Sequence, residues 1–384
     1  MTATISQVAD ASALADLVRE QFVPLVASGV EGRVNRELYT RIGASGIYDL
    51  LFPQTADPRA QANAATICTL RETAAYGCIE AEVAIGMQGI GGYPVLQSGT
   101  TAQLDRWLPG LRDGSVVAGF AITEPDVGSD AANLQLAAEP DGGNWRLSGV
   151  KRWITNAPDA DYYVTFARTT KGAGARGVTA FLVPADRNGL TGKSLDMVGP
   201  HPIGELIFDS VVVGPDDVLG DVDQGFKVGM RTFNLFRPSV GAGAVGMAQA
   251  ALDATVSRVV DRVAFGKPLG AQQSVAHALG DAATRLQAAR LLVKDAARAH
   301  DEGDADVASR SAMAKLFATE VAQQVIDTAV QFHGASGLEV GHLIGKLYTE
   351  IRATRIYEGA SEIQRDLVAR HLFRGTALDR AANK

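Results

Sequence analysis

NWRLSGVKRWITNAPDADYYVTFARTTKGAGARGVTAFLVP (144–184) decides how this chain folds. It holds three runs rich in β-branched and aromatic residues: NWRLSGVKRWIT, DYYVTFART and GVTAFLVP. The clusters NAPDAD and KGAGARG separate them, and Asn, Pro, Asp and Gly are the residues that turns demand. Runs of this kind are strands, because β-branched and aromatic side chains pack well on a pleated surface. Two more runs extend the pattern outward, SVVAGFAIT before it and ELIFDSVVV after it, and EPDGG (139–143) reads as a further turn cluster. Residues 115–222 are therefore expected to form a compact antiparallel β-domain, a barrel or a sandwich.

On both sides the texture is helical. Residues 1–114 are rich in Ala, Leu and Glu. In LADLVREQFVPLV, the residues Leu14, Leu17, Phe22, Leu25 and Val26 recur at helical spacing. Another helix is expected across ANAATICTLRETAAYGCI. Residues 223–384 carry longer stretches, among them QSVAHALGDAATRLQAARLLVKDAARAH and ASRSAMAKLFATEVAQQVIDTAVQFHG. Their length and alternating charge predict a bundle. The expected fold class is α+β: an N-terminal helical domain (1–114), a middle antiparallel β-domain (115–222) and a C-terminal four-helix-bundle domain (223–384).

Composition narrows the function. The chain has 384 residues, 46% hydrophobic and 21% charged, enough for several domains with their own cores. A net charge of −7 leaves no basic footprint for nucleic acid. An uninterrupted apolar run of about 18 residues, which a membrane span needs, is missing. MTATISQVADASALADL lacks a basic stretch followed by an apolar one, so no signal peptide is expected. Cys68 and Cys78 are too few for a disulfide framework or a zinc cluster. The expectation is a cytoplasmic enzyme, with no membrane insertion and no metal.

Two familiar patterns fail on context. GAGAVG (241–246) matches a dinucleotide fingerprint by letter, with Asp261 at the right distance. That fingerprint needs a preceding strand, and here a helix runs on through Asp261. The glycines are expected to serve close helix packing. GLTGKS (189–194) ends like a phosphate loop, but Arg187 stands where the first glycine is required. Of six scattered histidines, only His333 draws notice.

Three separated segments are unlike generic core. FAITEPDVGSD (120–130) ends a strand and presents Thr123, Glu124, Ser129 and Asp130 in a turn held by Pro and Gly. Such a turn aims hydroxyls and N–H groups at a polar ring edge or a phosphate, although an ordinary polar turn reads the same way. KRWITNA (151–157) places Trp153 and Thr155 on one strand face by alternation. That suits stacking on a planar heterocycle with a hydrogen bond to its edge; the alternative is a barrel-core tryptophan. In RIYEGASEIQRDLVARHLF (355–373), Glu358 stands beside Gly359 in an apolar setting before a helix. A carboxylate among apolar neighbours has a raised pKa and serves as a general base near neutral pH; the alternative is a surface Glu in a helix cap.

Together, in this order, these segments resemble the acyl-CoA dehydrogenase family over almost the whole chain. FAITEPDVGSD, KRWITNA, RVAFGKPLGAQQ (262–273), and QFHGASG leading to IYEGASEIQR (331–365) carry the resemblance. The family's forms are TEPxxGSD, KxWITN, RxxFGxPLxxFQ and IYEGTxxIQR. The resemblance implies FAD bound between the β-domain and the C-terminal bundle. It implies that Thr123 meets the flavin pyrimidine edge and that Ser129 sits near the flavin and the pantetheine entry. Trp153 would shield one flavin face, and Thr155 would hydrogen-bond near N5. Arg262, Phe265, Gln273 and Gln331 would reach FAD across a subunit interface, so a homo-oligomer is implied, by family norm a tetramer. Glu358 would be the catalytic base. Phe236, Arg237, Tyr357 and Gly359, with Ser129, would face the substrate. The implied reaction turns acyl-CoA into trans-2-enoyl-CoA in lipid metabolism, with electron-transferring flavoprotein as acceptor.

Departures from the family pattern bear on the substrate. Ala360 replaces the usual Thr, Ala335 and Leu338 break the usual GGxGY, Thr349 replaces an Arg, and Asn234 replaces an Asp. Some family members place the base near the segment FNLFRPSV; here it offers Asn234, Phe236 and Arg237 but no carboxylate, so the resemblance leaves Glu358 as the candidate base. Phe236 and Leu338 are expected to narrow the acyl pocket toward groups of roughly four to six carbons, because close-packed interiors resist added volume. Another reading is a dehydrogenase of a carrier-protein-tethered acyl group, with Lys151, Arg152, Lys227 and Arg231 as a basic docking patch. An oxygen-using oxidase or monooxygenase of the same fold is disfavoured by the intact Glu358–Gly359 pair. A degenerate scaffold is disfavoured by the joint presence of Glu358, Thr155 and Thr123.

Overall fold

The computed structural model describes residues 11–57, 59–199 and 201–376. The first ten residues, on which the expected absence of a leader partly rests, lie outside them. Helices α1 (Ala11–Leu17), α2 (Val23–Val26), α3 (Arg36–Ala44), α4 (Ile47–Leu51), α5 (Ala64–Gly77), α6 (Ile79–Ser98) and α7 (Thr101–Asp113) come first. Strands β1 (Ala118–Ala121), β2 (Ala137–Asp141), β3 (Asn144–Thr155), β4 (Tyr162–Arg168), β5 (Val178–Pro184), β6 (Leu190–Ser194) and β7 (Ile203–Val213) follow. Then come α8 (Gly225–Asp261), the hairpin strands β8 (Val263–Ala264) and β9 (Lys267–Pro268), α9 (Gln273–Asp301), α10 (Val307–His333), α11 (Leu343–Thr354) and α12 (Ser361–Leu372).

The chain forms two compact units, Met1–Asn63 with Glu80–Phe233, and Ala64–Ile79 with Asn234–Lys384. By compactness α5 therefore groups with the C-terminal helices, although it precedes the β-domain in sequence. The reason is local chemistry. The Asp301 carboxylate accepts from the free N–H groups of Ala64 (2.7 Å) and Ala65 (3.0 Å) at the start of α5. A carboxylate there satisfies orphan donors and the helix dipole together. Further along, Arg290 Nε donates to Glu72 (2.7 Å), and the buried Arg71 donates to Ser239 Oγ (3.0 Å).

In the first unit the sheet runs β1-β4-β2-β3-β7-β6, with β5 paired to β4. Pairing is antiparallel as expected except at β4, which runs parallel to β1, Ala118 facing Tyr162, and touches β2 in parallel at a single pair. β5 is buried throughout and β4 nearly so, which is why both read as continuous apolar runs rather than alternating ones. Two strands differ from the sequence reading. EPDGG reads as a turn, yet β2 continues through Asp141 and only Gly142 and Gly143 turn. Both have positive φ, as a two-residue hairpin with the right twist requires. LTGKS, the failed phosphate loop, is β6 and pairs with β7.

In the second unit, α8 carries GAGAVG in mid-helix, as its context predicts. A Cβ on Gly241 would stand 2.9 Å from Val293 Cγ2, and one on Gly246 would stand 2.1 Å from the Glu72 carbonyl. The second contact is with backbone and cannot yield. Gly246→Ala is expected to cost about 1–3 kcal/mol through overpacking. Urea unfolding with an unchanged midpoint would contradict this account.

Candidate active site

In the first unit the two motif segments are joined by buried charge. Lys151 has no exposed surface, and its Nζ lies 2.8 Å from Glu124 Oε1. It also donates to the Ile122 carbonyl at 3.0 Å. Glu124 accepts in turn from the N–H groups of Gln135 (2.6 Å) and Leu136 (2.8 Å). Burial pushes the Lys151 ammonium down to about 8, against the pull of Glu124. Glu124 is thus part of the frame rather than a group presented by the turn. Lys151, expected in a docking patch, is sealed inside. Arg152 N donates to the Thr123 carbonyl at 3.0 Å, which brings Thr123 beside the Trp153 segment. Ser129 is exposed on the same turn.

The alternation expected across Trp153 and Thr155 is interrupted. The β3–β7 register slips between Arg152 and Ile154, and Trp153 has φ +57°. A bulge inserts one extra residue and redirects its side chain. Trp153 is 46% exposed while Ile154 beside it is buried, so the tryptophan is not core. The Arg152 guanidinium sits 5.4 Å over its ring and is ion-paired with Glu205. Lys193 reaches the same carboxylate at 3.0 Å. Of the expected basic patch, Lys227 and Arg231 are exposed. Asn156, whose part the sequence reading missed, ends the strand. Its buried amide donates to the Ala118 carbonyl (2.9 Å) and accepts from Tyr39 (3.1 Å). An exposed aromatic plane on a rigid bulge, with a half-buried threonine two residues on, fits a planar, polar-edged ring such as a flavin.

In the second unit, Glu358 (φ +52°) and Gly359 (φ +94°) form a left-handed turn just before α12. Its surroundings are not apolar, as the sequence reading had it. Arg237, on α8, is 6% exposed and its Nε has no hydrogen-bond partner. Lys315, on α10, has no exposed surface. Burial lowers the pKa of both cations, and Glu358 lies close enough to each to oppose that shift. Two buried cations therefore lie within electrostatic reach of the Glu358 carboxylate. Tyr357 and Gly359 are half-buried beside it, and Phe236 is 1% exposed. Leu338 is 72% exposed, and Ala335 is also exposed.

The FAD-contact candidates of this unit are all open. Arg262, Gln273 and Gln331 are exposed. Phe265 (φ +54°) and Gly266 (φ +77°) form the two-residue turn between β8 and β9, which leaves the phenyl ring 95% exposed. His333 is buried edge-on to His342 at 5.1 Å, and burial lowers its pKa. That is a packing role.

Comparison with known proteins agrees with this layout. The N-terminal, middle and C-terminal domain models of acyl-CoA dehydrogenase match residues 6–115, 119–211 and 223–373. Cyclohexane-1-carbonyl-CoA dehydrogenase of Geobacter metallireducens is 32% identical over 94% of this chain and 95% of its own. The structure of butyryl-CoA dehydrogenase from Megasphaera elsdenii superposes with a TM-score of 0.88 at 32% identity, covering 97% of this chain and 100% of that one. The prolyl acyl carrier protein oxidase AnaB superposes with a TM-score of 0.88 at 25% identity, covering 96% and 99%. With helices, sheet and helices in the family's order and its motifs at the sites described, the chain belongs to the acyl-CoA dehydrogenase family, flavoprotein oxidoreductases acting on CH–CH bonds.

Proposed function

We propose that the protein is an FAD-dependent dehydrogenase of short acyl-CoA thioesters, with Glu358 as the base. The observation that carries this reading is the fixed left-handed turn at Glu358, flanked by the two buried cations Arg237 and Lys315. Glu358 takes the proton from the carbon next to the thioester carbonyl. That proton is weakly acidic, so the carbonyl must be polarised, and by family analogy the Glu358 N–H would donate to it. When bound, the flavin supplies the acceptor for the hydride that leaves the next carbon, and the trans double bond forms between the two. Thr123, Ser129, Trp153 and Thr155 would hold the flavin end. Arg262, Phe265, Gln273 and Gln331 would reach the cofactor of another copy, which explains a phenylalanine left 95% exposed in one chain. The protein would then be a homo-oligomer, by family norm a tetramer, passing electrons to electron-transferring flavoprotein in the cytoplasm. Burial of Lys151 and pairing of Arg152 weaken a carrier-protein docking patch, which favours the CoA thioester.

The test is anaerobic flavin bleaching against acyl-CoA and acyl-carrier thioesters of increasing length. Short acyl-CoA should bleach fastest, since Phe236 fills volume that a longer chain needs. Phe236→Ala should shift kcat/KM toward longer chains, at about 3–5 kcal/mol of stability for the cavity left. A wild type that prefers about twelve carbons, or an unchanged ranking in the variant, would mean that Phe236 does not set chain length.

A further inference from the structure

Lys315 stands where the helix pattern calls for a small apolar residue. Its neighbours on the buried face of α10 are Ala312, Ala314, Ala318, Thr319 and Ala322. A lysine placed there loses hydration and must be repaid by a specific partner. That partner is a backbone atom: Nζ donates to the Gly359 carbonyl at 2.6 Å. Gln364 Nε2, equally buried, donates to the same oxygen at 2.8 Å and weakly to the Glu358 carbonyl at 3.4 Å. Both lone pairs of the Gly359 carbonyl are therefore taken. The turn they hold has two successive residues with positive φ, one of them Glu358, a conformation that a non-glycine residue keeps only when its surroundings enforce it. A Cβ on Gly359 would lie 2.3 Å from Gln364 Nε2, so the clamp also requires glycine at that place.

We propose that Lys315 is a positioning residue for the dehydrogenation: its buried ammonium latches the Gly359 carbonyl and so fixes where Glu358 points. This rests on Glu358 being the base. The charge matters as well as the hydrogen bond, because a bond from an ionised donor is about twice as strong as a neutral one. Four charged groups act on Lys315: Glu358 from the turn, Arg237 from α8, Glu320 from α10 itself and Glu362 from α12. Burial outweighs the three carboxylates and brings the ammonium down to about 8. The latch should loosen as pH rises through that value.

Stopped-flow reduction of the flavin at saturating short acyl-CoA, from pH 7 to 9.5, tests this. In the wild type the rate constant should fall several-fold above pH 8. Lys315→Met should lose about 100-fold at pH 7, the order of effect expected from misaiming a base by an ångström, with thioester affinity within about threefold. Lys315→Arg keeps a permanent charge, so it should retain more rate than the Met variant and show no break near pH 8. Protein stability gives a second readout. Between pH 8 and 10.5 the unfolded chain keeps a proton that folded Lys315 has lost, so wild-type Tm should rise relative to Lys315→Met across that window. A flat wild-type rate profile, or a Met variant within threefold of wild type, overturns the latch. If Lys315→Met does not fold, the wild-type profile and the Arg variant decide. A wild type whose flavin no thioester reduces removes the dehydrogenase reading instead, and the Tm comparison of wild type with the Arg variant then judges the latch.

Discussion

Glu358→Gln is expected to keep the flavin and the thioester but lose flavin reduction by about 10²- to 10⁴-fold or more, the usual cost of removing a general base. The exchange preserves size, and the turn is held through main-chain oxygens, which the variant retains. Loss of basicity and of one negative charge are therefore the changes that remain. Arg237 and Lys315 lose a charge partner, so some structural response is expected nearby. The control is a thioester dissociation constant measured by flavin spectral perturbation, which should stay close to wild type. Reduction within about tenfold of wild type would place the base elsewhere, because base loss normally costs more.

The second large effect concerns stability. Lys151→Met should destabilise the protein by about 3–5 kcal/mol, because it strands a buried carboxylate. Glu124 is 5% exposed and would keep its two N–H donors but lose its cation. Adding Glu124→Gln should recover at least half of the loss, since removing both charges removes the uncompensated one. Urea unfolding followed by tryptophan fluorescence gives both numbers. A single variant within about 1 kcal/mol of wild type would mean that the pair does not hold the two motif segments together. Reduced flavin retention in Lys151→Met is expected alongside, since Thr123 and Trp153 depend on that junction.

Much of the fold was legible because it rests on local patterns. The strands DYYVTFART and GVTAFLVP read directly, since continuous β-branched and aromatic runs have few other uses. β2 did not, because Pro, Asp and Gly in EPDGG are turn residues by propensity, while pairing with β3 overrides propensity. The grouping of α5 with the C-terminal helices was not legible either, since it depends on Asp301, more than two hundred residues away. At the candidate site, Glu358 and Trp153 stood out by residue type. Lys315 and Asn156 did not, and Glu124 reads as displayed by its turn, because a lysine, a glutamate or an asparagine is exposed by default and only tertiary structure shows it buried. For Lys315 a signal was present: a single cation within a helical stripe of alanines.

The bulge at Trp153 has a bearing on how this protein can change. A regular strand offers two directions, inward and outward, and a residue that changes character in one of them disturbs its neighbours in the repeat. Here the extra residue is absorbed before Ile154, which is 2% exposed and returns to register opposite Gly204. The side chain at 153 is thereby insulated from the inward row of β3. Exchanges at this one position that tolerate its positive φ can alter what the sheet displays without asking the hydrophobic interior to rearrange, so ligand preference can change there apart from scaffold integrity.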